Sequence, residues 1–327
     1  MPTDLRPAPE LPAGGGLLLV DKPANCTSHD VVSLLRHVLR TKKVGHAGTL
    51  DPMATGLLVL AVDRSTKLLG HLALTDKTYF ASIRLGEQTD SDDADGIVIS
   101  TAESVAHIGD DAIRAGVRAL TGDLLQVPSS VSAIKVDGRR AYDLVRAGET
   151  VQLAARPVTV SRFDIIGAPR HLEKTIDLDV VVDCTTGTYI RSLARDLGAA
   201  LGIGGHLTRL RRTRVGPFGI VDAVDVFGAA EAQTESGKTG PPRLPVTEEF
   251  AARIAAAIIP AIDAVHAAFP IRTVDAAQAL DLQHGRFISA AGISGTYGVI
   301  GPDQTLVALA QDRDGRSKSV LGWQING

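Results

Sequence analysis

The chain has 327 residues, 44% of them hydrophobic, 22% charged and 4% aromatic, with a formal net charge of −3. Such a balance fits an ordinary globular protein with one large unit and a small one, and excludes disordered and fibrous classes. Two cysteines, Cys26 and Cys184, stand far apart outside any CxxC pattern, which argues against a disulfide framework or a zinc cluster and fits a reducing cytoplasm.

Residues 1–15 are rich in Pro, Gly and Ala and lack the basic-then-apolar order of a signal peptide, so they read as a flexible terminus. The longest apolar candidate, 251–269, is interrupted by Arg253, Pro260 and Asp263, and no membrane partner is expected. "GLLLV" (16–20) reads as a buried strand. The next segment reads as a helix capped by Thr27 or Ser28, with Val31, Val32, Leu34, Leu35, Val38 and Leu39 at helical spacing. Gly45 and Gly48 break it. Strands are expected at 57–62 and 78–85, then an acidic turn (87–95), a strand at 97–100 and a helix near 110–120. The middle is strand-rich, at 124–127, 131–136, 158–166 and 176–184, and a helix follows at 189–201. Residues 229–245 have few large apolar groups and read as a disordered insertion or loop. A helix near 247–258 leads into a β-rich C-terminal portion with a strand at 305–309. Strands mixed with isolated helices favour a mixed, largely antiparallel α/β sheet over regular βαβ winding.

Base is concentrated at 36–43, at 135–146 and most densely at 206–214 ("HLTRLRRTR"). Three such clusters on a net acidic chain suggest a polyanion groove, with Lys42, Lys43, Arg140, Arg209, Arg211, Arg212 and Arg214 as phosphate contacts.

"VGHAGTLDPMATGLL" (44–58) places one acid, Asp51, in a glycine-bracketed loop. The loop lacks the spacing and the Lys of a P-loop. An EF-hand register anchored on Gly96 puts Ala102 where a carboxylate is required, so 87–95 reads as a solvated turn. No second acid shares the Asp51 loop, as a glycosidase would want, and no histidine pair with metal-ligand spacing occurs. What remains is an Asp acting alone, as a nucleophile or an electrostatic group, near a sugar or a base.

The stretch "GHAGTLDPMATGLL" closely resembles the signature of bacterial tRNA pseudouridine synthases of the TruB class. "LVDKPANCTSHDVV" (Leu19–Val32), "KTYFASIRLGEQTDSDDADG" (Lys77–Gly96), "QVPSSVSAIKVDGRRAYDLVRAG" (Gln126–Gly148), "GTYIRSLARDLG" (Gly187–Gly198) and "LRRTRVGPF" (Leu210–Phe218) are similar to further blocks of that family, in the right order. The resemblance implies an α/β (α+β) catalytic domain of the pseudouridine synthase type over 16–262, with a small β-rich PUA-like domain over 263–327. It implies conversion of the T-loop uridine (tRNA position 55) to pseudouridine on a flipped-out nucleotide, with no cofactor and no metal. Asp51 would be the catalytic group, Arg191 its charge partner, and Tyr79 the ring stacked on the base. His46 would fill the vacated stack, Lys22 and Pro23 would support the pocket wall, and Leu210 and Tyr189 would line the pocket. The partner implied is tRNA, through its T stem-loop and, for the C-terminal domain, its acceptor end. Met53-Ala54 resembles the stand-alone branch, so no guide RNA and a cytoplasmic monomer are expected. Rival readings are a non-catalytic RNA-binding or tRNA-folding protein, a glycosidic-bond hydrolase, and a synthase for another RNA.

Overall fold

Residues 57–62 carry six consecutive apolar side chains, the pattern of a strand covered on both faces. The computed structural model of the chain, which describes residues 7–130, 135–136, 139–140, 153–227 and 246–323, places a strand there. In chain order the strands are β1 Gly16–Lys22, β2 Val44–Ala47, β3 Thr55–Val62, β4 Lys77–Leu85, β5 Glu87–Thr89, β6 Val98–Thr101, β7 Gly122–Gln126, β8 Lys135–Val136, β9 Arg139–Arg140, β10 Arg156–His171, β11 Ile176–Cys184 and β12 Gly205–Val215. They continue with β13 Phe218–Gly219, β14 Ile259–Pro260, β15 Ile271–Thr273, β16 Ile288–Ser289, β17 Thr296–Ile300, β18 Leu306–Arg313 and β19 Arg316–Gly322. The helices are α1 Ser28–Val38, α2 Leu69–Leu72, α3 Asp110–Ala119, α4 Ile190–Ala200, α5 Glu248–Ala256, α6 Ala261–Ala268 and α7 Ala276–Gln283. None among the described residues is long and apolar enough to cross a membrane.

The main sheet runs β14-β1-β3-β12-β4-β11-β10-β7, with β2 added to β3 and β13 to β12. Its pairings are antiparallel except β3–β12, which is parallel. One face meets the helices: Leu18, Val20, Leu58, Leu60, Ile83 and Val180 pack with Val31 and Leu35 of α1 and Leu193 and Leu197 of α4. On the other face, Leu17, Leu19, Leu57 and Val59 meet Val265 of α6 and Ile300, Leu309 and Trp323 of the C-terminal unit. Each fully buried Leu or Val contributes about 1.5–3 kcal/mol. That unit is a five-stranded sheet, β15-β17-β18-β19-β16, with α7 and a core including Leu282, Tyr297, Val299 and Val307.

Beyond the reach of the C-terminal unit, the outer face of β4, β11 and β10 is polar and paired. Arg84 Nε donates to Asp177 at 2.8 Å, Arg170 Nη1 to Asp179 at 2.5 Å, and Ser82 Oγ to Asp179 at 2.6 Å.

The segment 206–214, expected as a basic surface stretch, is instead the strand β12 at the centre of the sheet. Its register with β4 shifts between Leu207 and Arg209 and between Arg212 and Arg214, which disrupts the two-residue alternation that would have marked a strand. The expected 229–245 insertion and residues 131–134 of the expected 131–136 strand lie outside the described residues.

Candidate active site

The Asp51 loop joins β2 to β3 and is anchored from both sides. Gly48, at φ +85°, takes a left-handed turn that a side chain would resist, and its carbonyl accepts from Arg212 Nη2 at 3.0 Å. Ser28, at the start of α1, accepts from the Leu50 N–H at 2.9 Å and faces the Leu50 carbonyl at 3.2 Å. Lys22, wholly buried, donates to the carbonyls of Pro23 (2.8 Å), Cys26 (2.6 Å) and Pro52 (3.3 Å), tying the end of β1 to the loop. Burial lowers its pKa to about 8. Leu50 and Ala54 are buried on either side, so Asp51 is presented by a fixed backbone.

Arg191, in the first turn of α4, holds Asp51. Its Nη2 donates to Oδ1 at 3.2 Å and its Nε lies 3.1 Å from Oδ2. The remaining nitrogen, Nη1, donates to the Ser91 carbonyl at 3.0 Å and lies 3.3 Å from Asp93 Oδ2. Burial raises the pKa of Asp51, Arg191 pulls it down, and Asp93 pushes it up again, with the net direction upward. The carboxylate is open to the cleft on one side, with the side chain 34% exposed, yet dense protein surrounds it on the others.

The acidic turn is therefore corrected: Ser91, Asp92 and Asp93 are buried, not solvated. Asp93 pairs with Arg191 and Asp92 with Arg195, at 3.3 Å each. Two arginines four apart on α4 face two adjacent acids, and that spacing in "RSLARD" was the available signal. Gln126 was also missed. Its amide brackets Tyr189, accepting from the backbone N–H at 2.8 Å and donating to the carbonyl at 3.1 Å, where α4 has no side-chain cap.

Asp51 lies in a cleft of about 250 Å³ lined by the 48–51 loop, Lys77, Tyr79, the 185–191 segment, Leu210 and Arg212. That space is too small for any folded polymer element and suits a single small group reaching in from outside. Tyr79, on the inner face of β4, is 7% exposed, and burial raises its pKa, so the phenol keeps its proton at neutral pH. Leu210, across from Ala81, forms part of the floor. Lys77, not anticipated from sequence, donates to the Ala73 and Thr75 carbonyls, and burial lowers its pKa to about 8.

Tyr189 lines the cleft, whereas Lys22, Pro23 and His46 stand outside its lining. His46 is half-buried on β2, and its pKa is lowered by burial and by Arg212, which favours the neutral ring. The expected arginine groove at 206–214 is corrected. Arg212 is 1% exposed, its guanidinium donating inward to the Leu57 and Gly48 carbonyls. Arg209, Arg211 and Arg214 pair in register with Ser82, Phe80 and Thr78, on the face away from the cleft. There Arg211 forks onto Asp21 at 2.6 and 3.0 Å, and Arg214 donates to Thr78 at 2.9 Å beside Asp183. Lys43 faces Asp63 at 3.1 Å and Lys42 is exposed. The Arg140 side chain lies outside the described residues. No group of three or more His, Cys, Asp or Glu among the described residues is arranged to hold a metal.

The model of the TruB family pseudouridylate synthase N-terminal domain matches residues 36–190. Those of the tRNA pseudouridylate synthase B C-terminal domain and the tRNA pseudouridine synthase II C-terminal region match 191–236 and 269–323. The chain is 52% identical over 307 residues to the tRNA pseudouridine synthase B of Nocardia farcinica, covering 94% of this chain and 92% of that one. It is 50% identical to the tRNA pseudouridine synthase B of Mycobacteroides abscessus, covering 94% and 95%. Among solved structures, a chain of a Cbf5-Nop10-Gar1 complex superposes with a TM-score of 0.67 at 23% identity, over 98% of this chain and 90% of that one, a likeness of fold.

Proposed function

The chain belongs to the TruB family of pseudouridylate synthases, and from that membership we propose that it isomerises the T-loop uridine of tRNA to pseudouridine, with Asp51 as the catalytic group. The observation that carries the assignment of Asp51 is its pairing with buried Arg191 in a cleft sized for one nucleoside.

The reaction breaks the bond between the sugar C1′ and the uracil N1, turns the base, and joins C1′ to C5. The hydrogen on C5 leaves as a proton and N1, released from the sugar, takes up one, so atoms balance without a second substrate. Asp51 works in its ionised form at the junction of sugar and base. Arg191 favours that form and orients both oxygens by a charge-assisted pair. Tyr79 and Leu210 hold the uracil between ring and floor, and a closed cleft keeps water from trapping the sugar. His46, outside the cleft, fills the stack that the nucleotide leaves, and Lys22 and Pro23 brace the loop. Lys42 and Lys43, in the turn before β2, contact phosphate. The enzyme acts as a monomer without a guide RNA. The C-terminal unit, of PUA-like type, engages tRNA away from the T loop.

The test is tritium release from uridine labelled at C5 in transcribed tRNA, with wild type beside Asp51→Asn. Stoichiometric release by wild type that maps to the T loop, and none by the variant, is the expected result. Equal release by both would remove Asp51 from the chemistry. Free uracil instead of release would make the protein a hydrolase.

A further inference from the structure

Arg212 is the largest side chain shut away from solvent, and no acid answers it. Among the described residues no carboxylate lies within ion-pair distance of its guanidinium, whereas Arg191 has Asp51 and Asp93 and Arg195 has Asp92. A buried cation without a counter-ion is costly, so neighbouring dipoles have to answer it. Two of these are backbone carbonyls: Nε donates to Leu57 at 2.8 Å, and Nη2 donates to Gly48 at 3.0 Å, at the entry to the Asp51 loop.

The third neighbour is Tyr79. The two residues stand opposite each other in the register of β12 with β4, and both line the cleft. The Tyr79 oxygen is within hydrogen-bonding reach of the guanidinium, whose charge works against the burial that raises the phenol's pKa. Lys77, two residues earlier on the same face of β4, does not compete, because its ammonium donates to the Ala73 and Thr75 carbonyls. A guanidinium carries five N–H donors and no acceptor, so the Tyr79 hydroxyl can only accept from it. The phenol proton has to point elsewhere, and the open side is the cleft, where Asp51 stands.

We propose that Arg212 is a positioning residue for the isomerisation, holding Tyr79 by its oxygen so that the phenol proton is offered to the nucleotide in the cleft. The inference rests on the proposed function and deepens it: Tyr79 contributes a directed hydrogen-bond donor besides a stacking face, and Arg212 acts through it without touching the nucleotide. One planar fork ties β3 at Leu57, the catalytic loop at Gly48 and β4 at Tyr79, so the ring is set relative to Asp51. A lysine ammonium is a point charge without that fork.

The test is a double-mutant cycle with Arg212→Lys, Tyr79→Phe and the two together, read in denaturant midpoints and in single-turnover conversion of tRNA. Tyr79→Phe should lower the midpoint of wild type and lower that of Arg212→Lys far less, since there the hydroxyl has already lost its partner. An equal drop in both backgrounds overturns the proposal. Arg212→Lys should convert bound tRNA about tenfold more slowly at unchanged affinity, the factor that one charge-assisted hydrogen bond makes. Weaker binding at an unchanged rate overturns it. The double variant should be no slower than Tyr79→Phe; a further tenfold loss would mean that Arg212 acts through the loop instead, and overturns it. If Tyr79→Phe converts too little to measure, the midpoints decide. If Arg212→Lys does not fold, Arg212→Gln, which keeps a donor and lacks the charge, runs the same cycle. Wild type that converts no tRNA would reject the substrate reading, while the midpoints still report on the contact between Arg212 and Tyr79.

Discussion

Burial acts most strongly on Asp51, and Arg191, which faces two carboxylates with a single positive charge, offsets it only in part. The folded pKa of Asp51 lies above the ordinary value of 3.8. Between those two values the folded state holds more protons than the unfolded one, so stability from this group falls as pH rises through the window and stays lost above it. On the proposed role of Asp51, activity should follow the opposite sign, because the ionised form would act. The Asp51→Asn variant should therefore be inactive yet melt no lower than wild type at neutral pH, since Arg191 keeps Asp93 as its partner. The difference should shrink in acid as Asp51 takes up its proton. Thermal melts of both proteins across that range check it; a variant that melts well below wild type at neutral pH would show that Asp51 is needed to hold Arg191. The motif residues Asp51, Tyr79, Arg191 and Leu210 were legible because each sits in a quoted block, and the fold brings them to one cleft. Asp93 was not, because an acid among acids looks like a solvent-facing turn until burial shows that it needs a cation.

At the scale of elements, the sheet depends on a close approach between β3 and β12. Gly56, at φ +99°, lies so near that strand that an added Cβ would sit 2.2 Å from the Arg212 carbonyl oxygen. Gly56→Ala should force the two strands apart and strain the backbone, costing about 2–4 kcal/mol. A denaturant midpoint that hardly moves would contradict it. Catalysis should fall as well, since β12 carries Leu210 and Arg212 into the cleft. Helix α4 is unusual in another way: its first turn holds no acid and does hold Arg191, against the sense of the helix dipole. Asp51 supplies from another element the negative charge that the helix start lacks. Most elements could be read from their period, including β1, β3, β4, β11, α1 and α4. Strand β12 could not, because a buried arginine occupies an inward position and two irregularities shift the alternation.

At the scale of the whole molecule, β1 and β3 are walls shared by two cores, one holding the cleft and one seating the C-terminal unit. Their unbroken apolar runs were legible, while the partner on each face was not, since hydrophobicity names no neighbour. The charge count was also misleading in detail. Of the densest basic run, Arg209, Arg211 and Arg214 are turned away from the cleft, and two of them are answered by acids of the same chain: Arg211 by Asp21 and Arg214 by Asp183. An arginine already neutralised within the fold has few condensed ions to displace from a nucleic acid. Removing Arg211 should thus leave the dependence of tRNA affinity on salt unchanged, where loss of a free phosphate contact would flatten the logarithmic slope by about 0.7–0.9. A titration of binding against salt for Arg211→Gln decides between them. The wider consequence concerns the ionic response of the complex that the proposed function implies: the Arg211–Asp21 pair should add nothing to its counterion release, so that its salt dependence should come from cations left exposed, such as Lys42 and Arg209.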